Sequence, residues 1–269
     1  MRLTETAYAK INLALHVRAR RADGYHALET LFAFAEDGDR LEAAAAADLT
    51  LSVTGEHGGA IDNDNLVLRA ARDLRTAFAI SAGAAMVLDK RLPVASGIGG
   101  GSADAAAALR VLCRLWHLDP ADPRVAAIAR DLGADVPACL ASVSAWGSGR
   151  GDDLEPRPNG FEGTPLLLVN PRIPLATGPV FAGWDGVDCG PLDPQHPAGW
   201  RNDLEAPARA LVPEIAEMLA RLAAQSGVRL VRMSGSGATC FALFADNPTR
   251  DSAAAALPAE WWRMATRIR

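Results

Sequence analysis

The segment Pro93-Val94-Ala95-Ser96-Gly97-Ile98-Gly99-Gly100-Gly101-Ser102 runs directly into an alanine-rich pattern that predicts a helix from Ser102 to about Trp116. No other feature limits the possible folds as much. Glycines let backbone N–H groups approach a ligand with no Cβ in the way. A helix N-terminus adds unpaired donors and a positive dipole end, so the assembly suits a phosphate chain. It is not a Walker A loop, because no Gly-Lys-Ser/Thr follows. It is also a poor dinucleotide fingerprint: Ser102 takes the place of the last glycine, and the helix leads to another helix instead of a second parallel strand. A flexible surface turn is the plain alternative. The helix that begins at once after three glycines argues against it.

The chain has 269 residues, 49% hydrophobic and 22% charged, enough to bury the core of one large domain or two modest ones. Global disorder is excluded. A net charge of -5 argues against nucleic-acid binding by overall positive charge. No apolar run approaches a membrane span, and the start Met1-Arg2-Leu3-Thr4-Glu5 lacks a signal-peptide segment. Cys113, Cys139, Cys189 and Cys240 are far apart, with no CxxC pair, so the expectation is a reducing cytoplasm without zinc or disulfides. Of 27 basic residues only Lys10 and Lys90 are lysine, in a chain with 54 alanines. Compositional drift toward arginine explains the bias. The two survivors then mark positions where a compact ammonium matters and a planar guanidinium does not fit.

Residues 1 to about 60 read as strands. Ala9 to Val17 alternates apolar and polar as a half-buried strand does, Ala22-Asp23-Gly24-Tyr25 is a turn, and Leu28 to Ala35 and Leu49 to Thr54 are further strands. Asp62-Asn63-Asp64-Asn65 supplies cap residues for a helix from Leu66 to about Phe78. Met86 to Leu88 is a short strand, and a helix from about Asp122 to Leu132 ends at Gly133. The five glycines and three prolines from Gly147 to Pro165 suggest a weakly ordered connection and a domain boundary, giving domains 1–159 and 160–269. Leu166 to Val169 reads as a strand. Asn202-Asp203 caps one helix with apolar residues at Leu204, Ala208, Leu211, Ile215, Leu219 and Leu222. Val228 to Val231 and Thr239 to Phe244 are strands around a second glycine turn. Strands first, then helices, without steady βαβ alternation, gives an α+β class.

Four further groups bear on chemistry. Ser234-Gly235-Ser236-Gly237 suits a ligand clamped from two domains, or is an ordinary small-residue hairpin. Lys10 and Asn12 lie two apart on a strand and face the same way, either as a solvated face or as a site. Asp135, in Leu132-Gly133-Ala134-Asp135-Val136-Pro137, is a cap residue or a general base; with Lys10 at the phosphate loop it would make a base and cation pair for phosphoryl transfer. Tyr25-His26 beside a turn is a partly buried aromatic pair or a platform for a flat heterocycle. His16 and His117 read as structural, and Trp261-Trp262 as packing of the C-terminal segment.

Together these motifs resemble the GHMP small-molecule kinase superfamily. The pair Ala9-Lys10-Ile11-Asn12-Leu13 and Asp23-Gly24-Tyr25-His26 resembles the branch that phosphorylates a cytidine diphosphate-linked methylerythritol in the non-mevalonate isoprenoid pathway. The resemblance implies two domains meeting at a cleft, a ribosomal-S5-like N-terminal domain and an α/β C-terminal one. It implies transfer of the ATP γ-phosphate to a substrate hydroxyl with Mg²⁺, on small-molecule partners and not nucleic acid or membrane. By matching positions Asp135 would be the base, Lys10 would orient the hydroxyl and phosphate, and Asn12 would position the substrate. Tyr25 and Phe181 would sandwich the cytosine and His26 would bond its edge, with Thr177 and Gly235 also at the substrate. Asn65 and Lys90 would lie near the adenosine, and Pro93 to Ser102 would cradle the phosphates. Departures are Tyr8 for a proline, Ala95-Ser96 for Gly-Ala, and Ala103-Asp104 for Ser-Asn; the last sets a new carboxylate where it bears on the place of Mg²⁺. A homoserine- or mevalonate-type kinase would give no reason for Asp-Gly-Tyr-His. A non-catalytic metabolite sensor would give none for Asp135 and Lys10.

Overall fold

The structure, a computed structural model, describes residues 2–62 and 65–269. In chain order its elements begin with strands β1 (Arg2–Arg20), β2 (His26–Ala46) and β3 (Leu49–Thr54), helix α1 (Leu66–Ala77) and strand β4 (Gly83–Asp89). Helices α2 (Gly100–Leu115), α3 (Pro123–Leu132) and α4 (Val136–Ala141) follow, then strands β5 (Ala145–Ser148), β6 (Asp153–Pro156) and β7 (Pro165–Asn170). The rest comprises α5 (Thr177–Ala182), α6 (Glu205–Leu211), α7 (Glu214–Ala223), β8 (Val228–Met233), β9 (Cys240–Phe244), α8 (Asn247–Ala256) and β10 (Trp262–Arg267). Among the described residues no helix is long and apolar enough to cross a membrane.

The chain forms two compact units from interleaved segments. One comprises Met1–Ala9, Asp37–Val94 and Gly99–Ser142, the other Lys10–Glu36, Ala95–Ile98 and Val143–Arg269. The boundary expected near residue 159 divides the chain along its sequence; the compact units are divided differently, because β1, β2 and the glycine loop each supply residues to both.

In the first unit the later part of β2 pairs antiparallel with β4, Arg40 opposite Asp89 and Ala46 opposite Gly83. β3 lies parallel to β4. α1 packs on α2 and α3, and α2 on α4. Ala103 and Ala105 to Ala108 of α2 are buried, small enough to let neighbouring helices approach closely. In the second unit the early part of β2 pairs with β5, and β5 with β6. A second sheet, ordered β10-β7-β9-β8, is antiparallel throughout. Leu167, Val169, Met218, Leu222, Met233 and Phe244 are among the residues of its core.

Several sequence expectations are met within two or three residues: β3, α1, α3, β7 and the turn before His26. Asn65 caps α1, its Oδ1 accepting from the Val67 and Leu68 N–H groups at 3.1 Å; Asn63 and Asp64 of the expected cap cluster lie outside the described residues. The Ala9 to Val17 strand differs from a half-buried one, since Lys10, Asn12 and His16 are buried along with the apolar positions. The expected weakly ordered connection is a β5–β6 hairpin followed by a loop pinned by Asn159, whose amide donates to Ser144 Oγ and whose Oδ1 accepts from Phe161 N–H at 2.6 Å. Its glycines serve turns inside ordered structure. The single helix expected after Asn202 is two, α6 and α7, because Pro213 has no N–H to continue the ladder. Leu211, expected on the buried face, is exposed.

Gly38 in β2 supplies a test of the strand approach in the first unit. A Cβ there would lie 1.8 Å from Ala7 O and 2.9 Å from Tyr8 Cα, so backbone must move to admit it. Gly38→Ala should lower the unfolding free energy by at least about 2 kcal/mol, within the range of overpacking effects. Urea titration checks this, and a loss below about 0.5 kcal/mol would refute the close approach.

Candidate functional site

The glycine loop is built in two pieces. Its middle, Ala95–Ile98, belongs to the second unit and is held there through the backbone. Lys10 N–H donates to Ile98 O at 3.0 Å, Thr239 N–H to Ser96 O at 3.1 Å and Leu175 N–H to Ala95 O at 3.2 Å. The Ser234 hydroxyl donates to Gly97 O at 2.9 Å and accepts from Asn12 N–H at 3.3 Å. The second glycine turn therefore lies directly against the first. A Cβ on Gly97 would meet Ser234 O at 2.4 Å, and one on Gly235 would meet Gly97 O at 2.7 Å; both glycines have positive φ. Asn202, expected only as a cap, accepts from Leu204 N–H and also donates to Met233 O and Gly235 O at 2.8 Å.

Lys10 and Asn12 stand beside this double turn. Lys10 Nζ donates to Asn12 Oδ1 at 3.3 Å and lies 4.7 Å from the Phe32 ring centroid. Asn12 Nδ2 donates to Thr30 Oγ1 at 2.7 Å, and the Thr30 hydroxyl donates to Ala14 O, so the amide is locked with its oxygen toward the ammonium. Thr177, at the start of α5, is 3.1 Å from Ser236 through the two hydroxyls. The solvated strand face is thereby ruled out: Lys10 is a buried cation in a polar cluster.

His26 and Phe181 are brought together, with ring centroids 4.9 Å apart, and Trp184 packs edge-on against His26 at 5.7 Å. His26 Nε2 is buried and has no partner among the described residues. Burial, and then the nearby Arg20 charge, lowers the imidazole pKa and favours the neutral ring. Tyr25 is 53% exposed, and the Arg150 guanidinium lies 5.0 Å from its ring centroid. Arg150 sits in the β5–β6 turn and is fixed by Asp152 at 2.7 Å.

The first unit carries the start of α2, Gly99 to Ser102. Gly101 there lines a cavity of about 240 Å³ together with Asn65, Ile61, Leu66, Leu88 and Asp104. Asn65 and Gly101 thus share one cavity. Lys90 is buried beneath it, donating to Asp39 Oδ2 at 2.5 Å and Asp104 Oδ2 at 2.6 Å. Burial would lower the ammonium pKa, but the two carboxylates outweigh it and hold it above the ordinary lysine value. Burial likewise pushes the Asp104 carboxyl up to about 7, despite the opposing Lys90 charge. A Cβ on Gly100 would stand 3.1 Å from Lys90 Nζ, a tight contact that the bare helix position avoids. Pro93 and Val94 lead into the loop from this unit.

Asp135 precedes α4 and is half-buried; it occupies the cap position, yet its side chain accepts no capping bond. Its role as a plain helix cap is therefore not what the structure displays. Among the described residues no group of three His, Cys, Asp or Glu could hold a metal ion. Mg²⁺ usually keeps several waters and takes one or two carboxylates together with substrate phosphates.

Residues that sequence reasoning missed are Thr30, whose hydroxyl accepts from Asn12 Nδ2, Thr239, whose N–H donates to Ser96 O, and Asp39, whose carboxylate pairs with Lys90. Their signal was weak, because threonine and aspartate are common residues and the partners lie on other elements, Asp39 being 51 positions from Lys90.

Residues 65–142 match the family described as GHMP kinases N terminal domain, and 196–263 the one described as GHMP kinases C terminal. The chain is similar to a 4-diphosphocytidyl-2-C-methyl-D-erythritol kinase of Rhizorhabdus wittichii, 56% identical over 100% of this chain and 96% of the relative. One from Novosphingobium aromaticivorans is 55% identical over 100% and 94%. A crystal structure of 4-(cytidine 5'-diphospho)-2C-methyl-D-erythritol kinase superposes with a TM-score of 0.86 at 36% identity, covering 99% of each chain. A homoserine kinase from Cytophaga hutchinsonii shares the fold at 16% identity, with a TM-score of 0.65 over 96% and 95%.

Removing the Lys90 charge tests the buried cluster. Lys90→Gln leaves two buried carboxylates without their cation, which should cost about 3–5 kcal/mol of stability. The sign with pH follows from the raised Asp104 pKa: the protonated form is favoured by folding, so stability from this group is present at low pH and lost as pH rises through about 7. The loss in Lys90→Gln should therefore be smaller at pH 5 than at pH 8. Urea melts at both values check this; equal losses would contradict it.

Proposed function

This chain belongs to the GHMP kinases, and from that premise we propose that it transfers the γ-phosphate of ATP to the 2-hydroxyl of 4-diphosphocytidyl-2-C-methyl-D-erythritol. Relatives bearing that activity in their names match it over its full length at 55–56% identity. The observation that carries the substrate choice is His26 on Phe181: a neutral ring packed on an aromatic face, with a buried ring nitrogen lacking a partner among the described residues. That is what the edge of a flat heterocycle such as cytosine would satisfy. Tyr25, with Arg150 on its ring, would close over the base.

Phosphoryl transfer asks the protein mainly for positioning and charge stabilisation. In this reading Asp135 takes the proton from the 2-hydroxyl as its oxygen bonds to the γ-phosphorus and the bond to the ADP oxygen breaks. Lys10, held by Asn12, offsets the negative charge on the transferred phosphoryl group, and Asn12, locked by Thr30, orients the acceptor. Backbone N–H groups at the start of α2 and in the 95–98 segment hold the phosphates. The Asn65–Gly101 cavity takes the adenosine. Mg²⁺ would supply charge neutralisation when bound. We take residues 1–159 and 160–269 as the sequence domains, since the two family matches fall on either side of that boundary. The compartment we propose is the cytoplasm.

Two substitutions test the reading. Asp135→Asn should lower kcat by roughly 10²–10⁴-fold, the usual contribution of a general base. ATP binding should stay within about twofold. A variant that keeps more than about a tenth of wild-type kcat would remove Asp135 from the role. Tyr25→Ala should raise KM for the cytidylyl substrate by roughly 5- to 150-fold, from about 1–3 kcal/mol of stacking. KM for ATP should barely move, and Tyr25→Phe should be nearly silent. Steady-state kinetics with each substrate varied in turn decides between stacking and mere packing. Unchanged KM values in Tyr25→Ala would redirect attention to a homoserine- or mevalonate-type substrate.

A further inference from the structure

Helix α5 has only six residues, too few to be stable alone, so its place depends on what holds it from outside. At its start the Thr177 hydroxyl lies 3.1 Å from that of Ser236. In its middle Val180 is buried in the core of the second unit. At its end the chain bonds to itself only in part. Gly183 N–H donates to Pro179 O at 3.0 Å, and Trp184 N–H to Phe181 O at 3.2 Å. Arg20, the last residue of β1, takes two further carbonyls: its Nη2 donates to Trp184 O at 2.6 Å and to Ala182 O at 3.4 Å. The guanidinium carbon also lies 5.9 Å from the Trp184 ring centroid. A cation suits a helix C-terminus, where carbonyls lack partners and the dipole is negative.

This end of α5 carries the aromatic rings that meet His26, Phe181 at 4.9 Å and Trp184 edge-on at 5.7 Å. Arg20 grips the backbone of Trp184 itself and of the residue after Phe181. We propose that Arg20 is a positioning residue of the heterocycle pocket, holding the end of α5 so that the Phe181 and Trp184 rings stay packed on His26. The proposal rests on the cytidylyl reading above. Arg20 also acts through its charge. A flat base laid on His26 takes the imidazole further out of water, so the neutral ring is the form that binds. Burial favours that form first, and the Arg20 guanidinium adds to it. The other charged groups of this region have partners of their own. Asp23 pairs with Arg21, Glu29 with Arg18, and Arg150, over Tyr25, with Asp152. Asp185, after Trp184, accepts from Val187 N–H. Losing Arg20 therefore loosens the aromatic wall and raises the pH at which His26 takes up a proton.

Arg20→Met keeps the aliphatic stem and removes the donors and the charge. Arg20 is exposed, so its replacement leaves the core packed. In steady-state kinetics of the full chain at about pH 8, KM for the cytidylyl substrate should rise roughly 3- to 10-fold. The kcat and the KM for ATP should stay within about twofold. The KM ratio of variant to wild type should be larger at about pH 6, where more of the variant's His26 is charged. An NMR titration of the imidazoles, with His26 assigned through His26→Gln, should show His26 protonating at higher pH in Arg20→Met than in wild type. Arg20→Lys keeps the charge and a donor, so its His26 should titrate close to wild type and its KM should fall between the two. Should Arg20→Met not fold, Arg20→Gln, equally without charge, answers by the same measurements. An unchanged KM for the cytidylyl substrate, or a His26 titration that stays at the wild-type position, overturns the role of Arg20 and leaves the cytidylyl reading intact. An equal rise in the KM for ATP marks general loosening and overturns it as well. Failure of the wild type to turn over the cytidylyl substrate overturns both.

Discussion

The approach of two backbone turns governs the arrangement of the second unit. Gly97 and Gly235 have no side chain between them, and an added Cβ on either would collide with main-chain atoms of the other turn. Because the contact is backbone on backbone, it fixes the 95–98 segment more firmly than side-chain packing would. Ser234 then ties both turns to β1 with one hydroxyl, donating to Gly97 O and accepting from Asn12 N–H. The place of Lys10 and Asn12 follows from that tie. A loop long enough to wrap a phosphate chain would otherwise lose much conformational entropy on ordering; here the ordering is supplied by the fold before any ligand arrives.

Both lysines explain themselves by the space around them. Lys90 Nζ has carboxylate oxygens at 2.5 and 2.6 Å and the bare Gly100 position alongside. A guanidinium, planar and wider, has no room there. Lys10 is buried between the Asn12 amide and the Phe32 ring. The chain's other basic residues are arginines, a choice that serves wherever reach and charge suffice. Among the described residues the two lysines are the fully buried basic chains, and each belongs to a different half of the proposed chemistry. Their surroundings also differ in purpose. Lys10 is arranged toward a polar cluster beside the loop, whereas Lys90 is consumed internally by Asp39 and Asp104.

Much of the fold was legible because local rules dominated it. The alternation of Leu49–Thr54, the caps at Asn65 and Asp122, and the glycines ahead of α2 each act over a few residues, and the matching elements appear where expected. Errors arose where a local sign had two meanings. The glycines of 147–165 looked like disorder but serve a hairpin and a pinned loop, since a positive φ is as useful in a turn as in a linker. The apolar spacing from Leu204 to Leu222 continued through Pro213, and the periodicity outweighed a residue that ends a helix.

The sequence by itself determined the kind of chemistry: a glycine-rich helix start for phosphate, a surviving lysine with Asn12 two residues on, and an aspartate among apolar neighbours. Those are properties of residue type and short spacing, and they need no coordinates. Tertiary structure alone decided which groups are partners. Ser234 bonds a residue 222 positions away, Asp39 reaches Lys90 across 51, and His26 finds Phe181 in a helix far along the chain. No periodicity encodes such pairs, because they depend on how strands register and where turns collide. The same holds for charge. Asp104 looks like any helix-start acid in the sequence, and only its burial beside Lys90 and Asp39 changes which form it takes.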